Sequence, residues 1–355
     1  MPSSAETQAQ DVKFATYLWS RGYAALQLIC LREKGAAAIA ELKYRFMNGH
    51  GARHFVAGLK KLDIFNDPPA VAAAKYHYMS NCLVGDVPME YVRETDKKAW
   101  IRYLAPAWAY PGTGLLACPA SVQMAAFSAW HRNNGTWLGC PRLGYVCTKL
   151  YQYGEPYDEG YFIEYDHDIT LDEAFRYEPV ASSPDFDIEA APTLDKAAWP
   201  PARLFKARRR YAESYCAVPT SVLVEMYGVP YAAFLVEQAM RGLGTQYARE
   251  ISDRIGISGR DARSMAELFL GMLKTLGDMV SIDAQRDVVT ITRQTFSPIH
   301  DIHIDPIYDA YFSMFPAILK VLTARVRLTR SVRQGALAGS RVEEWRFEDS
   351  TSRLF

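Results

Sequence analysis

The strongest constraint on the fold is an internal repeat. Residues 74–85 and 266–277 share a helix-like apolar pattern, and each ends at a glycine that an aspartate follows. Glycine adopts the left-handed conformation that ends many helices at the lowest cost. A strand, a polar turn and a second strand are then predicted over 87–103 and over 279–293, because apolar and polar residues alternate there with period two. The sequence therefore predicts two related units.

The rest of each half has the same order of elements. A long helix is expected first, over 23–47 and 235–255. A later helix and two further strands are expected over 121–132, 143–153 and 161–166 in the first half, and over 306–320, 324–332 and 342–348 in the second. The fold class predicted is α+β: two tandem related units, each an antiparallel sheet of about four strands with helices on one face. A chance match between two unrelated α+β halves is the alternative.

The boundaries of the units follow from composition. Residues 12–177 form the first α+β unit and the proposed active half, and residues 211–349 form the second unit, a degenerate repeat. Residues 178–210 contain five prolines, with acidic residues early and basic residues late. We expect a linker there that wraps along the surface rather than packing.

Charge and apolar content limit the partners. Forty basic residues balance forty acidic ones, so no net field attracts nucleic acid. No stretch reaches the roughly 18 apolar residues of a membrane helix, and the first residues lack the order of a signal peptide. The six cysteines show no zinc spacing. We expect a cytoplasmic protein with reduced thiols, a small-molecule ligand, no membrane partner, and a monomeric or homodimeric state.

The two halves differ at their last turn. The first half is polar there, with Tyr157, Asp158 and Glu159, whereas the corresponding residues 335–339 of the second half have no ionisable group. Asp158 and Glu159 are candidate general bases, and Tyr157 is a candidate substrate contact. A solvated turn is the alternative, since acidic residues are common in turns.

Other candidates surround this turn. Cys140 is a candidate nucleophile with His131 as its base, if the two approach within hydrogen-bonding distance; packing roles are the alternative. Trp108 and Trp130 are expected to line an aromatic pocket.

A glycine-rich stretch, residues 49–51, is expected to interrupt the first long helix. Arg53 and His54, which follow it, are candidate substrate-binding residues, since arginine holds a carboxylate through two hydrogen bonds. A turn between two helices is the alternative reading.

A metal site is a weaker possibility in the second half. His300, His303 and Asp305 have spacings at which three side chains can bind zinc or another divalent cation. A helix start with surface histidines is the alternative. We expect no cofactor.

Three stretches within residues 70–166 form a recognisable pattern. They are Gly85-Asp86 with 90–96 and 101–103, then 106–108, then 141–143 with 148–150 and 154–157. This pattern resembles the family of L-2-amino-thiazoline-4-carboxylic acid hydrolases. Where that family commonly has Cys-Pro, this chain has Ala105-Pro106, and Asp158 and Glu159 stand near the place of a later cysteine.

The resemblance implies a hydrolase that acts on a carbon–nitrogen bond of a small, cyclic or open-chain, carboxylated compound. Asp158 or Glu159 would activate water, and Arg53 or Arg102 would hold the carboxylate. Two alternatives stay open: a lyase that acts on a small aromatic or hydrophobic substrate, and a sensor-type protein that binds a small molecule without turnover.

Overall fold

The computed structural model describes residues 5–104, 118–285, 288–334 and 341–355. The chain divides into two compact units. Unit A is Cys30–Tyr211, and unit B combines Met1–Ile29 with Ala212–Phe355. The boundaries expected from composition stay a prediction.

Unit A alternates helices with strand pairs. Helix α1 (Ala5–Lys34) belongs to unit B as far as Ile29, and its last residues belong to unit A. It ends at Lys34, and a new helix begins after Gly35, whose φ of 81° breaks the helix. The other elements of unit A are α2 (Ala36–Lys61), α3 (Pro69–Tyr78), β1 (Met89–Thr95), β2 (Lys98–Leu104), α4 (Ala120–His131), α5 (Asn134–Leu138), β3 (Leu143–Lys149), β4 (Tyr157–Glu164), β5 (Phe175–Tyr177) and the start of α6 (Pro201–Tyr227).

The strands of unit A form one sheet in the order β1-β2-β4-β3-β5. The first four strands are antiparallel, as predicted, and the short β5 adds a parallel strand beside β3. Helix α3 packs on β1, β2 and β4, and α2 packs on α4. The apolar residues of strands and helices meet between these layers in one buried cluster.

Helix α2 runs without interruption through residues 49–51, so the predicted break there is wrong. The glycines serve packing instead. A Cβ on Gly51 would overlap the indole ring of Trp137, and one on Gly58 would overlap the ring of Tyr76. These glycines therefore let two aromatic side chains approach the helix backbone.

The helix before the first hairpin also ends differently from the prediction. It continues from α3 as a π-helix, Met79–Val84, and Gly85 has a φ of −84°. The left-handed residue is Asp86, with a φ of 63°. A Cβ on Gly85 would lie 2.6 Å from the carbonyl oxygen of Asn81, so glycine is needed there for close approach.

The second face of this sheet is covered in part by the segment expected to be a linker. Val180 packs with Trp100 and Tyr161 on that face. Ala191 and Leu194 pack against the main cluster on the helix-covered face. Residues 201–210 form the first turns of α6. The expectation that 178–210 does not pack is therefore wrong for these residues.

Unit B has the predicted order of two helices, a hairpin, a helical region and a second hairpin. Its sheet order is β6-β7-β9-β8, the same order as the first four strands of unit A. Helix α8 packs on this sheet, and α7 packs on α9 and α10. The elements are α7 (Val229–Ile255), α8 (Ala262–Thr275), β6 (Val280–Gln285), β7 (Val288–Arg293), α9 (Asp305–Phe312), α10 (Met314–Leu322), β8 (Val326–Gln334) and β9 (Arg341–Asp349). The α+β class with two sheet-and-helix units is confirmed.

Candidate functional site

The candidate site lies on the helix-covered face of the unit A sheet. Strand β4 begins at Tyr157, so Asp158 and Glu159 belong to a strand and not to an exposed turn. Side chains alternate between the faces of a strand. Asp158 therefore shares the helix-covered face with Phe162, whereas Glu159 points to the other face. Asp158 is opposite Tyr103 of β2, and both side chains are buried.

Asp158 is held by neutral hydrogen-bond donors. Gln123 of α4 donates from Nε2 to Oδ2 over 3.1 Å, and the backbone N–H of Tyr151 donates to Oδ1 over 3.0 Å. Burial raises the pKa of Asp158 to about 7, although these hydrogen bonds and Lys43 oppose the shift. A carboxyl with that pKa exchanges its proton readily near neutral pH.

Lys43 of α2 belongs to the same group. Its Nζ donates to Oε1 of Gln123 over 3.4 Å, so Gln123 lies between the lysine and Asp158. Burial lowers the pKa of Lys43 to about 8, against the opposing influence of Cys118 and Asp158. Sequence reasoning missed Lys43. The signal was its place on the apolar stripe of α2, four residues after Ile39.

His131 is buried beside this group as a neutral imidazole. Its Nδ1 donates to the carbonyl oxygen of Phe127 over 2.9 Å, and its Nε2 lies 3.4 Å from the hydroxyl of Tyr103. Burial lowers the pKa of His131 to about 3. Both ring nitrogens thus have partners other than Cys140, and the structure does not bring the proposed Cys140–His131 pair together.

A cluster of aromatic and amide side chains continues from His131. His77 of α3 stacks on Phe162 at 5.5 Å and accepts a hydrogen bond from Asn134 Nδ2 over 2.8 Å. Burial lowers its pKa well below the usual value. In this cluster, four buried polar side-chain atoms have no hydrogen-bond partner among the described residues. They are His77 Nδ1, Trp130 Nε1, Asn134 Oδ1 and Tyr145 Oη.

Unpartnered buried atoms are rare, and such atoms commonly mark a place for water or a ligand. Gly160 contributes to the same place. A Cβ there would overlap the hydroxyl of Tyr145, so glycine lets that hydroxyl approach β4 closely.

The opposite face of the sheet holds an ion-pair network. Arg102 Nε donates to Glu159 over 2.5 Å, and Arg102 Nη1 donates to Glu90 over 2.8 Å. Thr148 also donates to Glu159 over 3.0 Å, and the ring of Tyr157 lies below the guanidinium at 5.3 Å. The structure therefore separates Glu159, Arg102 and Tyr157 from Asp158, and gives their charges protein partners.

The remaining candidates of unit A lie outside the Asp158 group. Cys140 is buried at the wall of a pocket of about 280 Å³ that Arg132 and Leu171 also line. Arg53 is exposed and donates to the carbonyl oxygen of Gly49 on its own helix. His54 lies beside His50, with the two rings tilted and their centres 4.8 Å apart. Trp108 lies outside the described residues.

The three metal candidates of unit B do not converge. His300 contacts Asp301 at 3.3 Å, and Asp305 begins α9, where Arg341 pairs with it. Among residues 5–104, 118–285, 288–334 and 341–355, no group of three or more His, Cys, Asp and Glu side chains is placed to hold a metal ion.

Unit B has different residues at the matching positions. Glu343 is opposite Arg293 in β7, as Asp158 is opposite Tyr103 in β2. Glu343 accepts hydrogen bonds from Arg330, Arg341 and Trp345. Burial alone would raise its pKa, but the arginines lower it. The matching carboxylate of unit B is thus charge-compensated.

Two positions near that carboxylate hold large aromatic side chains in unit B. Trp345 is two residues after Glu343, where unit A has Gly160. In the repeat that places Gly85 on Gly277, Phe269 stands where unit A has His77, and it packs on Trp345 with ring centres 6.3 Å apart. Large aromatic side chains in unit B therefore take the places of His77, which has an unpartnered nitrogen, and of Gly160, which lies beside the Tyr145 hydroxyl.

No protein-family model, curated protein or solved structure in the comparisons matches this chain. None of the described helices is both long enough and apolar enough to cross a membrane.

Proposed function

We propose that the protein is a hydrolase that acts on a carbon–nitrogen bond of a small carboxylated compound, with Asp158 as the general base. The observation that supports this is a buried carboxyl with a pKa near 7, hydrogen-bonded to Gln123 and close to the buried cation of Lys43. Such a carboxyl takes a proton from an attacking water and returns it to the leaving nitrogen.

Lys43 replaces Arg53 and Arg102 as the group proposed to hold the substrate carboxylate. Arg102 is already paired with two carboxylates, and Arg53 is exposed on α2. The ammonium group of Lys43 is buried and contacts a neutral amide, so an anionic substrate would restore its charge balance. The resemblance to L-2-amino-thiazoline-4-carboxylic acid hydrolases supports the same reaction class.

The test is turnover of a panel of carboxylated thiazolines, imidazolines and dihydropyrimidines, with products identified by mass spectrometry. We expect Asp158→Asn to lower kcat/KM by about 100-fold or more, because a positioned base typically contributes that much. Asp166→Asn is the matched control, since Asp166 is a fully exposed aspartate just after β4. Equal activity of Asp158→Asn and the unaltered protein would refute the base.

A binding protein without turnover is the second candidate, favoured by the four buried polar atoms of the His77 cluster that have no partner among the described residues. Thermal stabilisation is measured in the same samples, because a ligand that binds the folded state raises Tm. Compounds that raise Tm and are recovered unchanged would favour binding over hydrolysis.

A further inference from the structure

Lys43 is an unusual lysine in its surroundings. Its side chain is 6% exposed, and its Nζ has one hydrogen-bond acceptor among the described residues, the amide oxygen of Gln123 at 3.4 Å. A buried ammonium group is costly unless a carboxylate pairs with it. In the part of the chain that the structure describes, no carboxylate lies within salt-bridge distance of Lys43; Asp158 is joined to it through Gln123.

Lys149 of the same sheet provides the comparison. It is also largely buried, but its Nζ lies 3.5 Å from Glu159 and donates to the hydroxyls of Tyr157 and Ser183. These partners raise the pKa of Lys149, although burial opposes them. Lys149 therefore keeps its ammonium form, whereas burial lowers the pKa of Lys43 to about 8, so that a minor fraction of this side chain is a neutral amine near pH 7.

A neutral buried amine is a nucleophile toward carbonyl carbon. We propose that Lys43 forms an imine with small aldehydes or 2-oxo acids at the Asp158 site, with Asp158 moving the protons. This reaction shares Asp158 with the proposed hydrolase but does not depend on its substrate.

The step balances without another reactant. The Lys43 amine attacks the carbonyl carbon, and one N–H proton passes to the oxygen to give a carbinolamine. Asp158 in its protonated form then gives a proton to the hydroxyl group, which leaves as water. The remaining N–H proton returns to the Asp158 carboxylate, so the products are a neutral imine and one water molecule. The pKa of Asp158, about 7, allows it to donate and accept near neutral pH.

The probe is glyoxylate, added to the full chain at pH 7 with sodium cyanoborohydride. The reductant delivers hydride to the imine carbon and leaves a stable secondary amine, which peptide mapping by mass spectrometry locates. We expect Lys43 to be labelled about tenfold or more faster than Lys60, an exposed lysine on the same helix, because more of Lys43 is unprotonated. Lys149 should stay unlabelled on the same time scale.

Lys43→Arg should lose the fast label, and Lys60→Arg should keep it. The map of the unaltered protein decides the matter even if Lys43→Arg does not fold. Labelling of Lys43 no faster than Lys60 would overturn the proposal. Fast imine formation without turnover of the hydrolase panel would support the amine role and count against the proposed hydrolase, so the two failures are distinguishable.

Discussion

Asp158 and Glu159 are neighbours in the chain, but the pleat of β4 places their carboxylates in opposite environments. Glu159 is within reach of Arg102 and Lys149, which compensate its charge. Asp158 has two neutral N–H donors and, beyond Gln123, a lysine whose own charge is disfavoured by burial. Ionised Asp158 therefore costs folding free energy, and that cost keeps its pKa where a general base needs it.

The unfolding free energy of Asp158→Asn tests whether ionised Asp158 destabilises the folded state. Folding raises the pKa of Asp158 from 3.8 to about 7, so the protonated side chain favours the folded state. Its stabilising contribution is complete below about pH 4 and is lost as the pH rises through 7. Asparagine stays neutral, so the variant should exceed the unaltered protein in unfolding free energy by up to roughly 3 kcal/mol at pH 8.

Urea unfolding at pH 8 and pH 5 measures the difference. It should shrink at pH 5, where most of the Asp158 carboxyl is protonated in the folded state. The exposed Asp166→Asn is the control for a general effect of removing a carboxylate. A variant less stable than the unaltered protein at pH 8 would show that Asp158 is compensated after all.

The hairpins were predictable because period-two alternation and a polar turn are local properties of the sequence. Strands β1, β2, β6 and β7 lie within the predicted ranges or within one residue of them. The continuity of α2 through residues 49–51 was not predictable. Gly51 is there because Trp137, which is distant in sequence, packs on the helix. The partners of Lys43 and Asp158 were hidden for the same reason, since Gln123 belongs to another helix.

Alanine substitutions at two glycines of α2 distinguish the effect of close packing on stability from the effect of helix propensity. Gly51→Ala should lower the unfolding free energy by about 1–3 kcal/mol, because the added Cβ meets the Trp137 ring. Gly49→Ala should raise it by up to about 1 kcal/mol, since its Cβ would meet nothing nearer than the flexible end of Arg53 at 3.6 Å. Urea unfolding of both variants checks the pair; equal effects would mean that Trp137 does not restrict Gly51.

At the scale of the whole chain, the sheets of the two units share the order of four strands but differ in the side chains that surround their matching carboxyl groups. The order of helices and hairpins along the chain was predicted from the helix–glycine–hairpin pattern, whereas the strand order within the sheets was not. Common descent of the halves stays an interpretation. The predicted contrast between the last turns lies partly outside the described residues, since 335–340 are not among them. The structure shows a contrast in the strands that follow these turns, β4 in unit A and β9 in unit B. Asp158 accepts a hydrogen bond from Gln123, which in turn contacts Lys43, whereas Glu343 accepts hydrogen bonds from arginines.

The matching carboxyls should therefore have opposite effects on stability. The arginines around Glu343 lower its folded-state pKa below 4.5, so its contribution is present above that pH and is lost as the pH falls through the folded value. Glu343→Gln leaves Arg330 and Arg341 without this buried partner. We expect it to lower the unfolding free energy by about 3 kcal/mol at pH 8.

Asp158→Asn should raise the same quantity at pH 8, and Glu343→Gln should leave turnover and glyoxylate labelling unchanged, since Glu343 belongs to unit B and Lys43 and Asp158 to unit A. Urea unfolding of the two variants, side by side at pH 8 and pH 4, measures the signs. Changes of the same sign at pH 8 would mean that the charges of both carboxylates are compensated. Ionised Asp158 would then have no free-energy cost, and the proposal of a general base would lose the support of a raised pKa.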